Sequence, residues 1–252
     1  MDAVTIALYI VVFLFGITVG SFLNVCICRL PGGESIVTVP SHCMNCGRRL
    51  RWYELIPLFS FLFLRGRCAS CKSRISAQYP LIEAANGVLW LLVLRRLGPT
   101  AEAALGAMLL SALLVLSVID LRTREIPAGL NWFILALGIL RLLLDLQNWQ
   151  LHVIGFFAVA LPLYLLFLLS GGTAIGGGDV KLMAVCGLFL GWKTVLLGFF
   201  LGCALGAVIH LTLMAFKKAG HVLALGPYLS AGVAISLLWG DAAISWYLTL
   251  FV

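Results

Sequence analysis

Apolar residues occupy this chain in long, nearly unbroken runs, and the polar residues are gathered between them. Runs around 4–25, 81–97, 101–119, 129–146, 151–170, 180–197, 199–216 and 222–250 each approach the ~20 residues that a helix needs to cross a hydrocarbon layer. They predict an all-α polytopic membrane protein of about eight transmembrane helices. The division between the sixth and seventh runs rests on Trp192, Lys193 and nearby glycines. One merged helix there would give seven spans and carry the C-terminus across the membrane. The sizeable polar stretch runs from Arg29 to Tyr79. The expected organisation is therefore a first span over 1–28, a polar segment over 29–79 and a membrane domain of about seven spans over 80–252.

Composition agrees with the pattern. The 252 residues are 62% hydrophobic and 11% charged, with mean hydropathy +1.10, whereas a soluble domain carries roughly 25% charged residues. A net charge of +7 invites a nucleic-acid reading, but in a membrane protein the placement of charge matters more than its sum. With eight spans, all of the 17 Lys and Arg residues except Arg95, Arg96, Arg141 and Lys193 fall on one side. The positive-inside rule makes that side cytoplasmic and puts both termini outside. The expected surroundings are the lipid bilayer of the inner membrane, with no nucleic-acid partner. The first run is not read as a signal peptide, because Asp2 and no basic residue precedes it while the basic residues follow.

The polar segment contains "CMNC" and "CASC". Cys43 and Cys46 are separated from Cys68 and Cys71 by 21 residues, close to the spacing of a zinc ribbon in which four thiolates hold one Zn²⁺ tetrahedrally. A segment this short has few core residues, and a metal supplies the missing cross-link. A reducing cytoplasm disfavours disulfides. Redox thiols or unligated cysteines are the alternatives to zinc. His42 adjoins Cys43, but the fourth Cys makes it unnecessary as a ligand. Cys26, Cys28, Cys186 and Cys203 lie in or beside spans and read as small apolar filler. His152, His210 and His221 have no second ligand at helical spacing and are assigned no metal.

Two carboxylates stand apart from the other acidic residues. Asp120 closes the apolar run "LLVLSVID" and opens "DLRTREIP"; Asp179 follows three glycines in "AIGGGDVKLMAVCGLFLGW". The predicted topology puts them at one membrane face and at similar depth, whereas Glu125 sits among Arg122 and Arg124 as a loop charge. Two carboxylates at one site share a proton: the charged member activates water and the protonated member polarises a carbonyl. Gly176, Gly177 and Gly178 have no side chain to block an extended peptide approaching Asp179. Lys181 reads as a residue snorkelling to the interface, with a secondary role near the pair. The plainer reading makes each Asp a helix-end residue. That suits Asp179 at a helix N-terminus, but not Asp120 near a C-terminus. The glycines Gly198, Gly202 and Gly206 give one smooth helix face for close packing.

These residues resemble the type IV prepilin leader peptidases. The likeness is carried in order by "GSFLNVCICRLP" at 20–31, "CMNCGRRLRWYELIPLFSFLFLRGRCASCKSRISAQYPLIE" at 43–83, "DLRTREIP" at 120–127 and "GGGDVKL" at 176–182. The resemblance implies that Asp120 and Asp179 are the catalytic aspartates, with Gly176, Gly178 and Asp179 forming the G-x-G-D motif of intramembrane aspartic proteases. It implies a prepilin or pseudopilin substrate, cut on the cytoplasmic side after a Gly that ends a short basic leader. Many members then methylate the new N-terminus with S-adenosylmethionine. Gly20, Asn24 and Glu83 fall in the N-terminal motifs and are candidates for that second site, where helix-to-helix bonding by Asn24 and a helix-start role for Glu83 are the plain alternatives. The chain departs from the family at Gln78, where Arg is frequent; Arg74 is the nearest basic residue. Two rival functions use the same features: an ion-coupled transporter built on paired carboxylates, and a zinc-dependent membrane redox or assembly protein. The transporter would more typically show an internal repeat, and none is evident.

Overall fold

The structure is a computed structural model that describes residues 2–216 and 223–250. Lys217, Lys218 and His221, which entered the reading of charge and histidines, lie outside the described residues. The chain forms two compact units, 1–99 and 100–252.

In the N-terminal unit, helices α1 (Ala3–Arg29) and α3 (Gln78–Leu97) pack along each other. The contact is close because small residues meet. A Cβ on Gly16 would lie 2.9 Å from Gly87 Cα, and one on Gly20 would lie 2.7 Å from Glu83 Cα. Asn86 has no exposure and donates to the Gly16 carbonyl at 2.7 Å, the kind of interhelical polar contact that a lipid environment favours. Between the two helices lie a 3-10 turn (Trp52–Leu55), a short helix α2 (Phe59–Phe63) and two isolated antiparallel bridges, His42 with Arg49 and Arg67 with Arg74.

The C-terminal unit contains α4 (Ala101–Thr123), α5 (Ala128–Leu144), α6 (Trp149–Ala158), α7 (Ala160–Leu169), α8 (Gly177–Leu190), α9 (Trp192–Ala215) and α10 (Gly226–Thr249). α8 is packed by α5, α6, α7 and α9, and its Leu182, Met183 and Cys186 have no exposure. Its crossing with α6 is glycine to glycine: a Cβ on Gly187 would fall 2.1 Å from the Gly155 carbonyl oxygen. His152 of α6, almost fully buried, sits 2.8 Å through Nδ1 from the Leu188 carbonyl. Gly198 and Gly202 meet the backbone of α10, and Gly206 meets Tyr228, so the stripe brings α9 and α10 together.

The protein is an all-helical, multi-pass membrane protein. Among the described residues, five helical stretches are long and apolar enough to cross a membrane: Ala3–Gly32, Ala101–Thr123, Leu146–Leu169, Trp192–Ala215 and Gly226–Thr249. Ala128–Leu144 is a shorter apolar helix. The expected second and sixth spans correspond to α3, diluted by Glu83, Asn86, Arg95 and Arg96, and to α8, whose 14 residues reach about 21 Å at ~1.5 Å per residue. Enclosure by neighbouring helices lets α8 be short, since most of its length beyond Asp179 meets protein.

Two boundaries differ from expectation. The sixth run ends at Leu190 and not at 197, because Gly191 takes a left-handed turn (φ 79°) from which α9 departs at Trp192. The fifth is interrupted at Val159. Pro162 lacks the N–H that would bond Ala158, and its ring crowds that carbonyl.

Candidate functional site

Asp120 lies one turn before the end of α4 and is 5% exposed. The helix stops at Arg124, which adopts a left-handed conformation (φ 57°) and returns its N–H to the Asp120 carbonyl at 2.9 Å. A carboxylate near a helix C-terminus meets an unfavourable dipole. The compensation comes from 106 residues away. The N–H of Gly226, first residue of α10, donates to Asp120 Oδ2 at 3.0 Å in a buried contact, using one of the donors that every helix N-terminus leaves unpaired. A Cβ at 226 would lie 2.7 Å from that oxygen, so only glycine permits the approach without displacement. Sequence reasoning did not single out Gly226. Its signal was "LGPY", a Gly-Pro pair opening an apolar run, which marks a helix start but not what the start touches.

Asp179 is the third residue of α8. Its N–H bonds the Gly176 carbonyl at 3.1 Å, and a Cβ on Gly176 would lie 3.1 Å from Asp179 Oδ2. The start of α8 meets the segment that follows α4: a Cβ on Gly178, next to Asp179, would lie 3.1 Å from Ile126, six residues after Asp120. The three glycines differ in their surroundings. Gly176 adjoins the carboxylate, the nearest neighbour of Gly177 is Phe167, and Gly178 packs on Ile126 at a distance that admits no larger residue without a shift. Lys181 is exposed.

In the N-terminal unit, Cys43, Cys46, Cys68 and Cys71 bring their Sγ atoms within 4.8 Å of one another. Zn–S bonds of about 2.3 Å in a tetrahedron require S···S edges of about 3.8 Å, and Cys43 and Cys71 stand at 3.9 Å. The four sulfurs fit one zinc ion, and His42 is not among them. Each C-x-x-C pair sits on a tight turn. Cys43 N–H bonds the Arg48 carbonyl and Cys68 N–H that of Ser73, both at 2.9 Å, with Gly47 (φ 69°) and Lys72 (φ 59°) supplying the left-handed residues. The Ser73 hydroxyl and the Asn45 side-chain amide lie 3.1 and 3.7 Å from Cys71 Sγ, partners suited to a thiolate. Glu54 is buried, pairs with Arg48 and accepts the Arg51 N–H at 2.7 Å, tying the first turn to the segment that follows.

Beneath the cysteine cluster lies a cavity of about 680 Å³ whose walls include Asn24, Arg29, Arg74, Tyr79 and Glu83. Glu83 accepts the N–H of Leu58 at 2.7 Å, where Leu58 holds a left-handed φ of 61°. Asn24 donates to the Tyr79 carbonyl at 3.1 Å and accepts from Gln78 Nε2 at 3.3 Å, so Gln78 serves Asn24 as a neutral partner. Arg29 donates to the Ser35 and Val39 carbonyls and holds that loop against the end of α1. Gly20 is not part of the wall; it lies one turn deeper, where α1 and α3 touch.

Residues 14–97 match the bacterial peptidase A24 N-terminal domain, and residues 107–211 match the type IV leader peptidase family. The chain is similar to the prepilin leader peptidase/N-methyltransferase of Bacillus subtilis (35% identity, covering 94% of this chain and 97% of the relative). It is also similar to proteins of the same name from Aeromonas hydrophila (36%, covering 96% and 94%) and Pseudomonas aeruginosa (33%, covering 96% and 94%). No solved structure matches it significantly. On the strength of both domains and of relatives aligned over nearly their whole length, the chain belongs to the type IV leader peptidase family.

Proposed function

We propose that this protein is a membrane aspartic endopeptidase that removes the basic leader from a type IV prepilin or pseudopilin at the cytoplasmic face and then N-methylates the new terminus. The observation that carries the reading is Asp120, buried at the end of α4 and held by the opening amide of α10, with the half-buried Asp179 at the start of α8, where the adjoining Gly178 packs on Ile126 of the segment that follows α4. A prepilin presents an apolar helix followed outward by an extended leader, so its scissile bond arrives at the depth where these helix ends meet. The charged carboxylate takes a proton from water, and the hydroxide adds to the scissile carbonyl carbon. The protonated carboxylate donates a hydrogen bond to the carbonyl oxygen, and collapse of the adduct sends a proton to the departing amine. The Gly226 amide orients one oxygen of Asp120 and leaves the second to face the water. Gly176 supplies a floor beside Asp179 without a side chain, and Lys181 stands at the mouth of the same helix as a contact for substrate.

The second reaction belongs to the cavity of the N-terminal unit. Asn24 and Glu83 present an amide and a carboxylate to it, groups suited to the amine and the sulfonium charge of S-adenosylmethionine, which supplies a methyl group when bound. Gly20 acts through the helix crossing that positions Glu83. The four cysteines suit a structural zinc ion, since four thiolates leave no open position for water. The proposed topology has eight spans, with the cysteine segment and the aspartates cytoplasmic and both termini outside. Neither rival function gains support from the relatives, all of which carry a peptidase name.

The test is to incubate the purified protein in lipid nanodiscs with a leader-bearing prepilin and S-adenosylmethionine, and to read the products by mass spectrometry. Loss of the leader followed by addition of one methyl group is expected. An intact prepilin under all conditions would sink the reading, and cleavage without methylation would remove its second half.

A further inference from the structure

Part of the segment between α1 and α3 is more apolar on its outside than a water-facing loop should be. Trp52 is 78% exposed, Leu62 69% and Phe63 83%, with Phe59 nearly half exposed. α2 is two-faced. Ser60 and Phe61, with Leu64 just past its end, line the cavity, while Phe59, Leu62 and Phe63 stand on the opposite side at helical spacing. The outer face is therefore not spare core: the inner face already serves that role.

Two further observations say what covers it. The first is depth. Glu83, which bonds the Leu58 N–H at the start of α2, is the sixth residue of α3, about 7.5 Å along the helix from its beginning. By that point the apolar run of α3 has begun, so α2 is pinned at the level of the membrane boundary. The second is charge. Arg49, Arg51, Arg65 and Arg67 flank the apolar patch and are all exposed. Residues 29–79 contain only two acidic side chains, and one of them, Glu54, is buried against Arg48. Aromatic side chains with a rim of arginines, lying in the plane of the interface, is the arrangement of an interfacial membrane helix.

We propose that Trp52, Phe59, Leu62 and Phe63 insert into the bilayer at the boundary between headgroups and acyl chains, in the leaflet where α1 ends and α3 begins, and that Arg49, Arg51, Arg65 and Arg67 bind the phosphates of anionic phospholipids. The cysteine segment is then a membrane-seated structure and not a domain standing off the bilayer. Its cavity opens at the interface, with α2 forming the wall between it and the lipid. An apolar partner protein would explain the aromatic residues but not their fixation at the depth of Glu83.

Hydrogen exchange on the whole protein tests this directly, comparing nanodiscs of phosphatidylcholine with nanodiscs that also contain phosphatidylglycerol. Amides of 52–65 should exchange more slowly in the anionic discs by at least about fivefold, the effect of one Arg near an anionic surface. Replacing Arg49, Arg51, Arg65 and Arg67 together by Gln should abolish the difference while zinc content stays unchanged. Bromine on the acyl chains should quench a fluorescence component that is missing in Trp52→Phe. Equal exchange in both bilayers with no quenching of Trp52 would overturn the proposal, as would protection that arises only when prepilin is added.

Discussion

Gly226 shows how a residue with no side chain shapes a site. Its N–H reaches Asp120 Oδ2 at 3.0 Å, and a methyl group in its place would stand 2.7 Å from the same atom. Gly226→Ala must therefore push the carboxylate aside. Misplacement of a reacting group by an ångström costs up to ~100-fold in rate, so kcat for leader cleavage is expected to fall at least ~10-fold while KM stays within about twofold. Steady-state kinetics on a prepilin decide it, and an unchanged kcat would make the contact incidental. Glu83 gives the complementary case in the N-terminal unit. In Glu83→Gln the side-chain oxygen can still accept the Leu58 N–H, so the fold of 56–63 is kept and only the negative charge is lost. Methylation is expected to drop by ~10-fold or more, the scale of a charge-assisted contact, with cleavage unaltered. Equal loss of both activities would reduce Glu83 to a loop anchor.

At the scale of elements the account turns on α8, which carries Asp179 and is wedged among its neighbours. Its crossing with α6 has no room for a side chain, so Gly187→Val should lower stability by ~1–3 kcal/mol or more, read as an earlier thermal transition in detergent; an unshifted transition would mean that the helices separate without cost. Much of this arrangement was legible beforehand. The apolar runs located every long helix, and the order of spans set the expectation that Asp120 and Asp179 share one face. The limits of legibility are physical. Helix α7 loses its bond to Ala158 because of Pro162, so the interruption shows at Val159, three residues before the proline. The sixth run ends at Gly191 because that residue takes a left-handed turn, and apolar residues continue on both sides of it. Gly20 reads as a motif residue in the chain, whereas in space it is a crossing point. The Gly226 contact depends on where a helix begins 106 residues from its partner, and hydrophobic periodicity does not encode that. The exposed face of α2 was likewise invisible, since nothing in "LFSFLFLRGR" says which aromatic residues turn toward the cavity.

At the scale of the molecule, each unit has its own packed centre, and the two differ in what holds them. The C-terminal unit rests on close-packed helices, whereas residues 41–76 have two short bridges and a cluster of four sulfurs. Zinc removal with a chelator, or the double replacement Cys68→Ser and Cys71→Ser, should raise hydrogen exchange across 41–76 and leave α4 to α10 protected, because a small metal site contributes its binding energy directly to folding. Methylation should fall further than cleavage. Unchanged exchange on chelation would show that the cysteines do not hold the segment. The central claim, that Asp120 and Asp179 together perform the hydrolysis, is tested most directly by prepilin cleavage with Asp120→Asn and Asp179→Asn, each purified in nanodiscs and shown by exchange to be folded. A dyad does not operate on one carboxylate, so both variants are expected to lose at least ~1,000-fold in rate, in line with the loss of a residue that acts as part of a catalytic unit. Cleavage by either folded variant within about tenfold of the unmodified protein would contradict the account.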